Sequence, residues 1–102
     1  MTFLIRFTPG AEADLIRLYE FILEREEYDW RLAEHALDAI RHAIRGLQQS
    51  PFSYRKASPG NPFLRELVIP FGKSGYVALF EVDNKQTVTI LAVRHQREDD
   101  YH

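Results

Sequence analysis

The residues best suited to chemistry lie close together near the C-terminus. Arg94, His95 and Arg97 follow directly after the apolar run 91–93, and Tyr101 lies four residues further along. Guanidinium groups make bidentate contacts to phosphate or carboxylate oxygens, and an unperturbed histidine, with a pKa of about 6.5, can carry protons near neutrality. This group of residue types therefore indicates a site that binds phosphate or a charged partner, with His95 as a candidate proton shuttle.

The same residues also have a purely structural interpretation. Glu98, Asp99 and Asp100 follow at once and can form salt bridges with Arg94 and Arg97, which would weaken any anion site. We keep both interpretations for the two arginines. A single histidine at the end of a strand more often donates to a backbone carbonyl, and for His95 we favour that structural role.

A second candidate surface is the proline-rich stretch 51–62, where Phe52 and Tyr54 stand beside Arg55 and Lys56. Exposed aromatic side chains often dominate protein interfaces, and an aromatic–cation cluster also suits single-stranded nucleic acid. We expect this stretch to be a loop that contacts a partner. Trp30, in contrast, is expected to pack against the first helix.

The remaining candidate residues are explained without a functional role. Arg65 lies between apolar residues of a predicted strand, and we expect it to form an ion pair with Glu81 on the next strand. His35 and His42 lie seven residues apart, outside the spacing of a helical metal pair, and the chain has no cysteine. We therefore predict two surface histidines, no metal site and no cofactor.

Composition limits the class of protein. The 102 residues suffice for one domain, predicted to span 1–102, and 45% hydrophobic residues can form a core. The N-terminus does not have the pattern of a signal peptide, no apolar run reaches the roughly 20 residues that span a membrane, and the absence of cysteine fits a reducing compartment. We expect a cytoplasmic protein. The net charge of −2 argues against a general nucleic-acid coat.

Two periodicities divide the chain. A strand is predicted over 2–8, a helix over about 9–26, with Thr8-Pro9 at its start, and a second helix that begins near Asp29 and ends before Ser50-Pro51. Beyond the loop, alternation predicts strands over 63–69, 75–82 and 87–93, with turns at 71–75 and 83–86. The fold class is therefore α+β, with the order β-α-α-β-β-β and an antiparallel sheet that carries a helical hairpin on one face.

The third predicted strand, 75–82, is apolar on both of its faces. One set holds Tyr76, Ala78 and Phe80, and the other holds Val77 and Leu79. A single helical hairpin can cover only one face of the sheet. We therefore favour a partner that covers the other face over a sheet that curls and covers itself.

The element order, together with the "LRELVI" strand, "SGYVALFEV" and "VTILAVRHQREDDY", resembles the RelE/ParE superfamily of bacterial toxins. The resemblance covers nearly the whole chain and is strongest over 63–101. It implies the toxin of a type II toxin–antitoxin (plasmid stabilisation) system and a cognate antitoxin whose flexible tail folds across the toxin. The antitoxin would form a hetero-oligomer with this chain.

The superfamily has two mechanisms. RelE-like members cut messenger RNA on the ribosome without a metal, using Arg, Lys and a proton-transferring group such as Tyr. ParE-like members inhibit DNA gyrase by binding. Nucleases that resemble this chain carry an arginine directly after "GY", where this sequence has Val77, and a lysine-rich second strand, where it offers only Arg65. Tyr101 has a counterpart in the nucleases, whereas Arg97 matches a family arginine only with a one-residue gap.

This comparison favours the ParE-like branch, a gyrase inhibitor. On that reading the target-binding residues would be Arg65, Lys73, Tyr76, Arg94 and Arg97. The residues that face a partner would be Phe52, Tyr54, Arg55, Lys56, Val77 and Leu79. One alternative is a RelE-like ribosome-dependent endoribonuclease, with Arg94, His95, Arg97 and Tyr101 as catalytic residues. The other is an antitoxin-binding module without toxicity.

Overall fold

Two helices and five strands make up the part of the chain described by the computed structural model, residues 2–83 and 85–98. The elements are β1 (Leu4–Phe7), α1 (Pro9–Arg25), α2 (Trp30–Arg45), β2 (Arg55–Ser58), β3 (Asn61–Phe71), β4 (Ser74–Val82) and β5 (Thr87–His95). Short 3₁₀ turns at Gly46–Gln48 and Pro51–Ser53 lead from α2 into β2. The α+β class and the helical hairpin that precedes a β-meander are confirmed.

The strands form one sheet in the order β1-β5-β4-β3-β2. Neighbouring strands from β2 to β5 are antiparallel, whereas β1 pairs with β5 in parallel, with Leu4 opposite Thr87. The sequence had suggested an antiparallel sheet, but the pair of β1 and β5 is parallel. The loop expected over 51–62 was also wrong in part, because Arg55–Ser58 pairs with β3 as an edge strand. Both features arise from pairing partners, which local periodicity does not reveal.

Local chemistry sets the helix boundaries. The Thr8 hydroxyl accepts a hydrogen bond from the first turn of α1, and Pro9 occupies the first turn. The hairpin between the helices takes the backbone of Glu27 and Tyr28 into the left-handed region, with φ of 53° and 63°, which ends α1. The Asp29 carboxylate then caps α2 by accepting from two backbone N–H groups at 3.1 and 3.3 Å.

The hydrophobic core lies between the helices and one face of the sheet. The apolar stripe predicted for the second helix is buried, with Ala33, Leu37, Ile40 and Ile44 on α2 and Leu47 in the 3₁₀ turn that follows. The sheet contributes Leu67, Ile69, Tyr76, Ala78, Phe80, Val82, Val88, Ile90 and Val93. The two helices pack against each other, and on the sheet α1 packs mainly against β5 and α2 against β3. The core therefore fixes the position of α1 over the strand that carries the C-terminal cluster.

Strand β5 continues beyond the end of β1, and side chains of α1 bond to its exposed edge. The buried Asp14 carboxylate, 4% exposed, accepts a hydrogen bond from the Val93 N–H at 2.8 Å. The Thr8 hydroxyl lies 3.2 Å from the carbonyl oxygens of Ile90 and Leu91, and the Arg17 guanidinium donates to the Val93 carbonyl at 3.4 Å. These bonds satisfy backbone groups that would otherwise lose their partners where β1 stops.

The opposite face of the sheet is less open than the sequence suggested. Val77 is only 2% exposed and Ala92 is also buried, although neither belongs to the main core. Leu79 is half-buried, and Val68 is exposed on the neighbouring strand. Part of this face is therefore covered by the chain itself, and the rest remains accessible to a partner. In the described part of the chain, no helix is long and apolar enough to cross a bilayer.

We predict that Asp14→Ala lowers the free energy of unfolding by about 1–3 kcal/mol, because it leaves the buried Val93 N–H without its acceptor. Urea denaturation measures the change. Asp38→Ala is the control, since that carboxylate is exposed and its ion pair with Arg41 spans one helical turn on the surface, and it should change stability by less than about 0.5 kcal/mol. Equal effects of the two substitutions would contradict this role for Asp14.

Candidate functional site

Two adjoining hollows lie between α1 and the end of β5, with volumes of about 120 and 310 Å³. Both are lined by Leu18, Phe21, Arg25 and His95. We call them together the α1–β5 cleft. The smaller hollow is completed by Ile22, Glu26, Leu32, Phe71 and Tyr76, and the larger one by Arg17, Arg97 and Glu98. Apolar and charged side chains therefore line both hollows of the cleft.

Helix α1 forms one wall of the cleft. Arg17, Phe21 and Arg25 are spaced four residues apart, and this spacing brings side chains onto the same face of a helix. The adjacent Leu18 is buried against the core and fixes the rotation of the helix. Phe21 remains 52% exposed, a large apolar surface with a cation one turn away on either side.

His95 forms part of the other wall, and its protonation state follows from its partners. Its Nδ1 atom accepts from the Arg97 backbone N–H at 3.1 Å, so Nδ1 carries no proton. Its Nε2 atom lies 3.0 Å from Ser74 Oγ and therefore carries the ring proton and donates to it. The ring also packs edge-on against Tyr76. His95 is thus a neutral imidazole with both nitrogens in use, although its partners differ from the carbonyl that the sequence suggested.

Burial and charge both shift the titration of this site. Partial burial lowers the pKa of His95 below 6.5, and the nearby Arg97 and Arg25 lower it further, while Glu98 opposes them. Burial also raises the pKa of Tyr76 above its ordinary value, so its hydroxyl stays protonated at neutral pH. Neither group is ionised under ordinary conditions, and the cations of the cleft are its arginines.

The three arginines of the cleft differ in their partners. Arg17 forms a forked pair with Glu98, with Nη1 to Oε1 at 3.0 Å and Nη2 to Oε2 at 3.4 Å. Arg97 is exposed, and so is Arg25. Within residues 2–83 and 85–98, neither of these two forms an ion pair with a carboxylate. Two exposed cationic groups therefore line the cleft.

Arg94 lies on the other side of the sheet from His95, because side chains alternate along β5. Its Nη1 atom donates to the carbonyl oxygens of His95, Gln96 and Glu98, at 3.2, 3.4 and 2.8 Å. This guanidinium fixes the backbone of the segment that follows β5. The structure therefore separates Arg94 from Arg97, which the sequence had placed in one cluster.

Arg65 does not form the expected ion pair with Glu81, and that prediction was wrong. The register places Arg65 opposite Phe80, so its side chain and that of Glu81 leave opposite faces of the sheet. Its guanidinium instead donates to the carbonyls of Pro62 and Tyr54 at 2.7 and 2.8 Å and lies 5.3 Å from the Phe52 ring centroid. Arg65 thereby ties the stretch before β2 to β3.

The aromatic residues of the predicted contact loop separate into two environments. Phe52 is exposed and belongs to an edge-to-face cluster with Phe3 and Phe63. Tyr54 is half-buried and packs against the core residue Phe80. Beside them, Arg55 is exposed and pairs with Glu66 at 3.0 Å.

The other predicted residues are scattered. Lys56 and Lys73 are both exposed, Lys56 on edge strand β2 and Lys73 in the turn between β3 and β4. Trp30 is 59% exposed, so the expected packing against α1 was wrong; its ring instead lies beside the Arg31 guanidinium. Tyr101 lies outside the described residues.

The predicted surface positions of His35 and His42 are confirmed. Among the described residues, no group of three or more acidic or histidine side chains is arranged to hold a metal ion.

Sequence reasoning missed the contribution of α1 to the site. The signal was present, because Arg17, Phe21 and Arg25 follow one another at four-residue intervals. An exposed phenylalanine between two arginines on one helical face is unusual for a solvated surface. The stripe was overlooked because the apolar residues on the neighbouring face already accounted for the helix.

The family model that describes the ParE toxin of type II toxin–antitoxin systems, parDE, matches residues 5–100. The chain belongs to this family. The match includes all of the described helices and strands except Leu4, the first residue of β1, and it includes the α1–β5 cleft. It confirms the predicted resemblance to the RelE/ParE superfamily and the prediction that the chain is closer to the ParE-like branch. It also identifies the chain as a member of a toxin family.

Solved structures share the fold of this ParE family member. One is from the chromosomal ParDE TA system of P. aeruginosa, with a TM-score of 0.74 and 22% identity, covering 92% of this chain and 96% of that one. Another is from the RelBE2 toxin–antitoxin complex of Mycobacterium tuberculosis, with a TM-score of 0.59 and 23% identity, covering 94% and 100%. No match was found among the curated proteins.

We predict that an NMR pH titration places the pKa of His95 below 6.5 and that Arg97→Ala raises it, because the substitution removes a neighbouring positive charge. Glu98→Gln should lower it further, and Arg41→Ala on α2 should leave it unchanged. Since the folded state then binds this proton less readily than the unfolded chain, His95 should disfavour folding as the pH falls below about 6.5. A His95 pKa above 6.5 would contradict this account.

Proposed function

We propose that this ParE family toxin acts by binding DNA gyrase and that a cognate antitoxin neutralises it. The family match over residues 5–100 is the observation that carries the proposal. Gyrase works on DNA in the cytoplasm, so the proposal also places the toxin there. Binding, rather than a chemical step, is the mode of action that the side chains favour.

The residue after Gly75-Tyr76 supports a binding mechanism. Nucleases that resemble this chain carry an arginine there, and a cation beside a scissile phosphate contributes strongly to the transition state. Here the residue is Val77, which is 2% exposed on β4. An apolar side chain in this position cannot stabilise a phosphorane-like charge.

The candidate catalytic residues of β5 also favour binding. The Arg94 guanidinium donates to three carbonyl groups of its own chain. His95 has both ring nitrogens engaged, and its lowered pKa keeps it neutral. A general base must be within reach of the proton that it takes from the substrate, and His95 would first have to release the Arg97 N–H.

Two observations support an antitoxin as partner, namely the source of the similar structures and the exposed apolar side chains of this chain. Both similar structures are described as coming from toxin–antitoxin systems. Large apolar side chains are also exposed on several elements, namely Leu4, Ile16, Phe21, Phe52, Phe63 and Val68. A partner that wraps around the toxin would cover such scattered residues better than one compact interface.

A ribosome-dependent endoribonuclease is the second candidate. It is favoured by the convergence of Arg25, His95 and Arg97 on one cleft, since cations and a titratable group are the parts of a metal-independent nuclease. The likeness to a RelBE2 toxin–antitoxin structure is compatible with it as a fold. The two candidates differ in what must be measured.

We predict that the purified protein inhibits supercoiling by DNA gyrase and that Lys73→Ala and Arg97→Ala each weaken inhibition about fivefold. Both side chains are exposed at the same end of the sheet, and removing one rim charge costs about 1 kcal/mol of binding. Gel electrophoresis of relaxed plasmid measures the concentration for half-inhibition.

Arg41→Ala is the matched control, because Arg41 lies on α2 and pairs with Asp38 at 3.5 Å. It should inhibit like the unaltered protein. Full supercoiling at an excess of the protein would overturn the gyrase proposal. In a parallel reaction, cleavage of messenger RNA on translating ribosomes would replace it with the nuclease.

A further inference from the structure

The chain turns where β5 ends, over residues 95–98, and the His95 ring takes part in that turn. The Glu98 N–H donates to the His95 carbonyl at 3.0 Å, which closes the turn. The Arg97 N–H donates to His95 Nδ1 at 3.1 Å. A side-chain atom that accepts from the N–H two residues further on is the geometry of an Asx turn, in which an Asp or Asn oxygen is the acceptor. Here the acceptor is a nitrogen that can be protonated.

The carbonyl groups of the same turn are held by a side chain that does not titrate. Arg94 Nη1 donates to the carbonyls of His95, Gln96 and Glu98, at 3.2, 3.4 and 2.8 Å, and a guanidinium stays protonated in proteins. The Arg97 N–H, in contrast, depends on an acceptor that one proton abolishes, because Nδ1 of an imidazolium is a donor. Protonation therefore sets two N–H groups against each other and removes one bond of the turn.

The other contacts of the ring determine how readily that proton binds. Ser74 Oγ lies 3.0 Å from Nε2 and accepts from it in both protonation states of the ring. Partial burial lowers the pKa of His95, Arg97 and Arg25 lower it further, and Glu98 raises it. The ring is therefore neutral at neutral pH, where it accepts from the Arg97 N–H, and it takes up the proton only in acid.

Charged and titratable groups face His95 from the elements packed around it. They are Arg17, Arg25 and Glu26 on α1, Tyr76 on β4, and Arg97 and Glu98 after β5. On α2, His35 contacts the Phe71 ring, which in turn packs against Tyr76. Arg17 and Glu98 offset each other in their ion pair at 3.0 Å. An imidazolium at position 95 is thus opposed by the Arg97 side chain as well as by the Arg97 N–H.

We propose that His95 is a pH-sensitive switch for the turn 95–98, in which the neutral ring holds the Arg97 N–H and a proton on Nδ1 releases it and loosens residues 96–98. Arg97 and Glu98 are the members of this segment that line the α1–β5 cleft. The acid form therefore holds the Arg97 cation, and the Glu98 partner of Arg17, in less fixed positions. The switch belongs to the free chain, so it does not depend on whether the target is gyrase or messenger RNA.

NMR of the ¹⁵N-labelled protein tests the switch. An N–H···N hydrogen bond transmits a scalar coupling between its two nitrogens, so a coupling should join the Arg97 amide nitrogen to His95 Nδ1 above the His95 pKa. It should disappear as the pH falls through the midpoint of the His95 titration, and the Arg97 amide shift should change with the same midpoint. Protection of that amide against hydrogen exchange, corrected for the intrinsic rate, should fall roughly fivefold, the factor that one net hydrogen bond contributes.

Two substitutions of His95 separate the switch from a general effect of acid. His95→Asn places an amide oxygen where Nδ1 lies, so the Arg97 amide should stay protected in acid as well. His95→Gln has a longer side chain that moves its oxygen away from this position, and it should leave the amide unprotected at every pH. Ser74→Ala keeps Nδ1 and should keep the titration of the coupling. Thermal unfolding checks that each variant is folded.

Three results would overturn the proposal. One is the absence of a coupling between the two nitrogens above the His95 pKa. Another is a coupling that persists when the ring is protonated. The third is a turn that loosens in acid as much in His95→Asn as in the unaltered protein.

Discussion

The hydrogen bond between the Asp14 carboxylate and the Val93 N–H holds together the two halves of the molecule that build the functional surface. Strand β1 stops opposite Ile90, and the backbone of β5 beyond it would have no partner on that side. Helix α1 replaces the missing strand with side chains from Thr8, Asp14 and Arg17. A buried carboxylate is expensive unless it is bonded, so this contact fixes the position of α1 along β5 as well as its distance.

That contact also positions the cleft. Arg17, Phe21 and Arg25 follow Asp14 along α1. The hydrogen bond between Asp14 and Val93 therefore also sets the position of these three side chains over the sheet. On the other wall, two side chains hold the backbone that follows β5. The Arg94 guanidinium donates to the Glu98 carbonyl from the opposite side of the sheet, and the His95 ring accepts a hydrogen bond from the Arg97 N–H. A rigid backbone lowers the conformational entropy that a cationic side chain and its segment lose on binding. Arg94 thus holds the backbone of its own chain, whereas the Arg97 side chain is exposed in the cleft.

The fold alone does not choose a toxic mechanism, since the similar structures come from both a ParDE and a RelBE2 system. The choice depends on side chains at a few positions. Val77 places an apolar residue at the point where a nuclease would present a cation, and His95 is held neutral by its partners. These two side chains are the reason that the proposed mechanism is binding rather than cleavage of a bond.

The sequence by itself determined the α+β class, both helices, the three-stranded meander and the family, because each depends on local periodicity, caps and motif order over 63–101. It could not reveal strand β2 or the parallel pairing of β1 with β5, whose partners are distant in the chain. It also misjudged Arg65 and Trp30, since the face on which a side chain leaves its element depends on register and helix rotation. Only the tertiary structure decided that Arg94 and Arg97 serve opposite faces and that three residues of α1 complete the cleft, because these side chains are brought together by packing and not by sequence spacing.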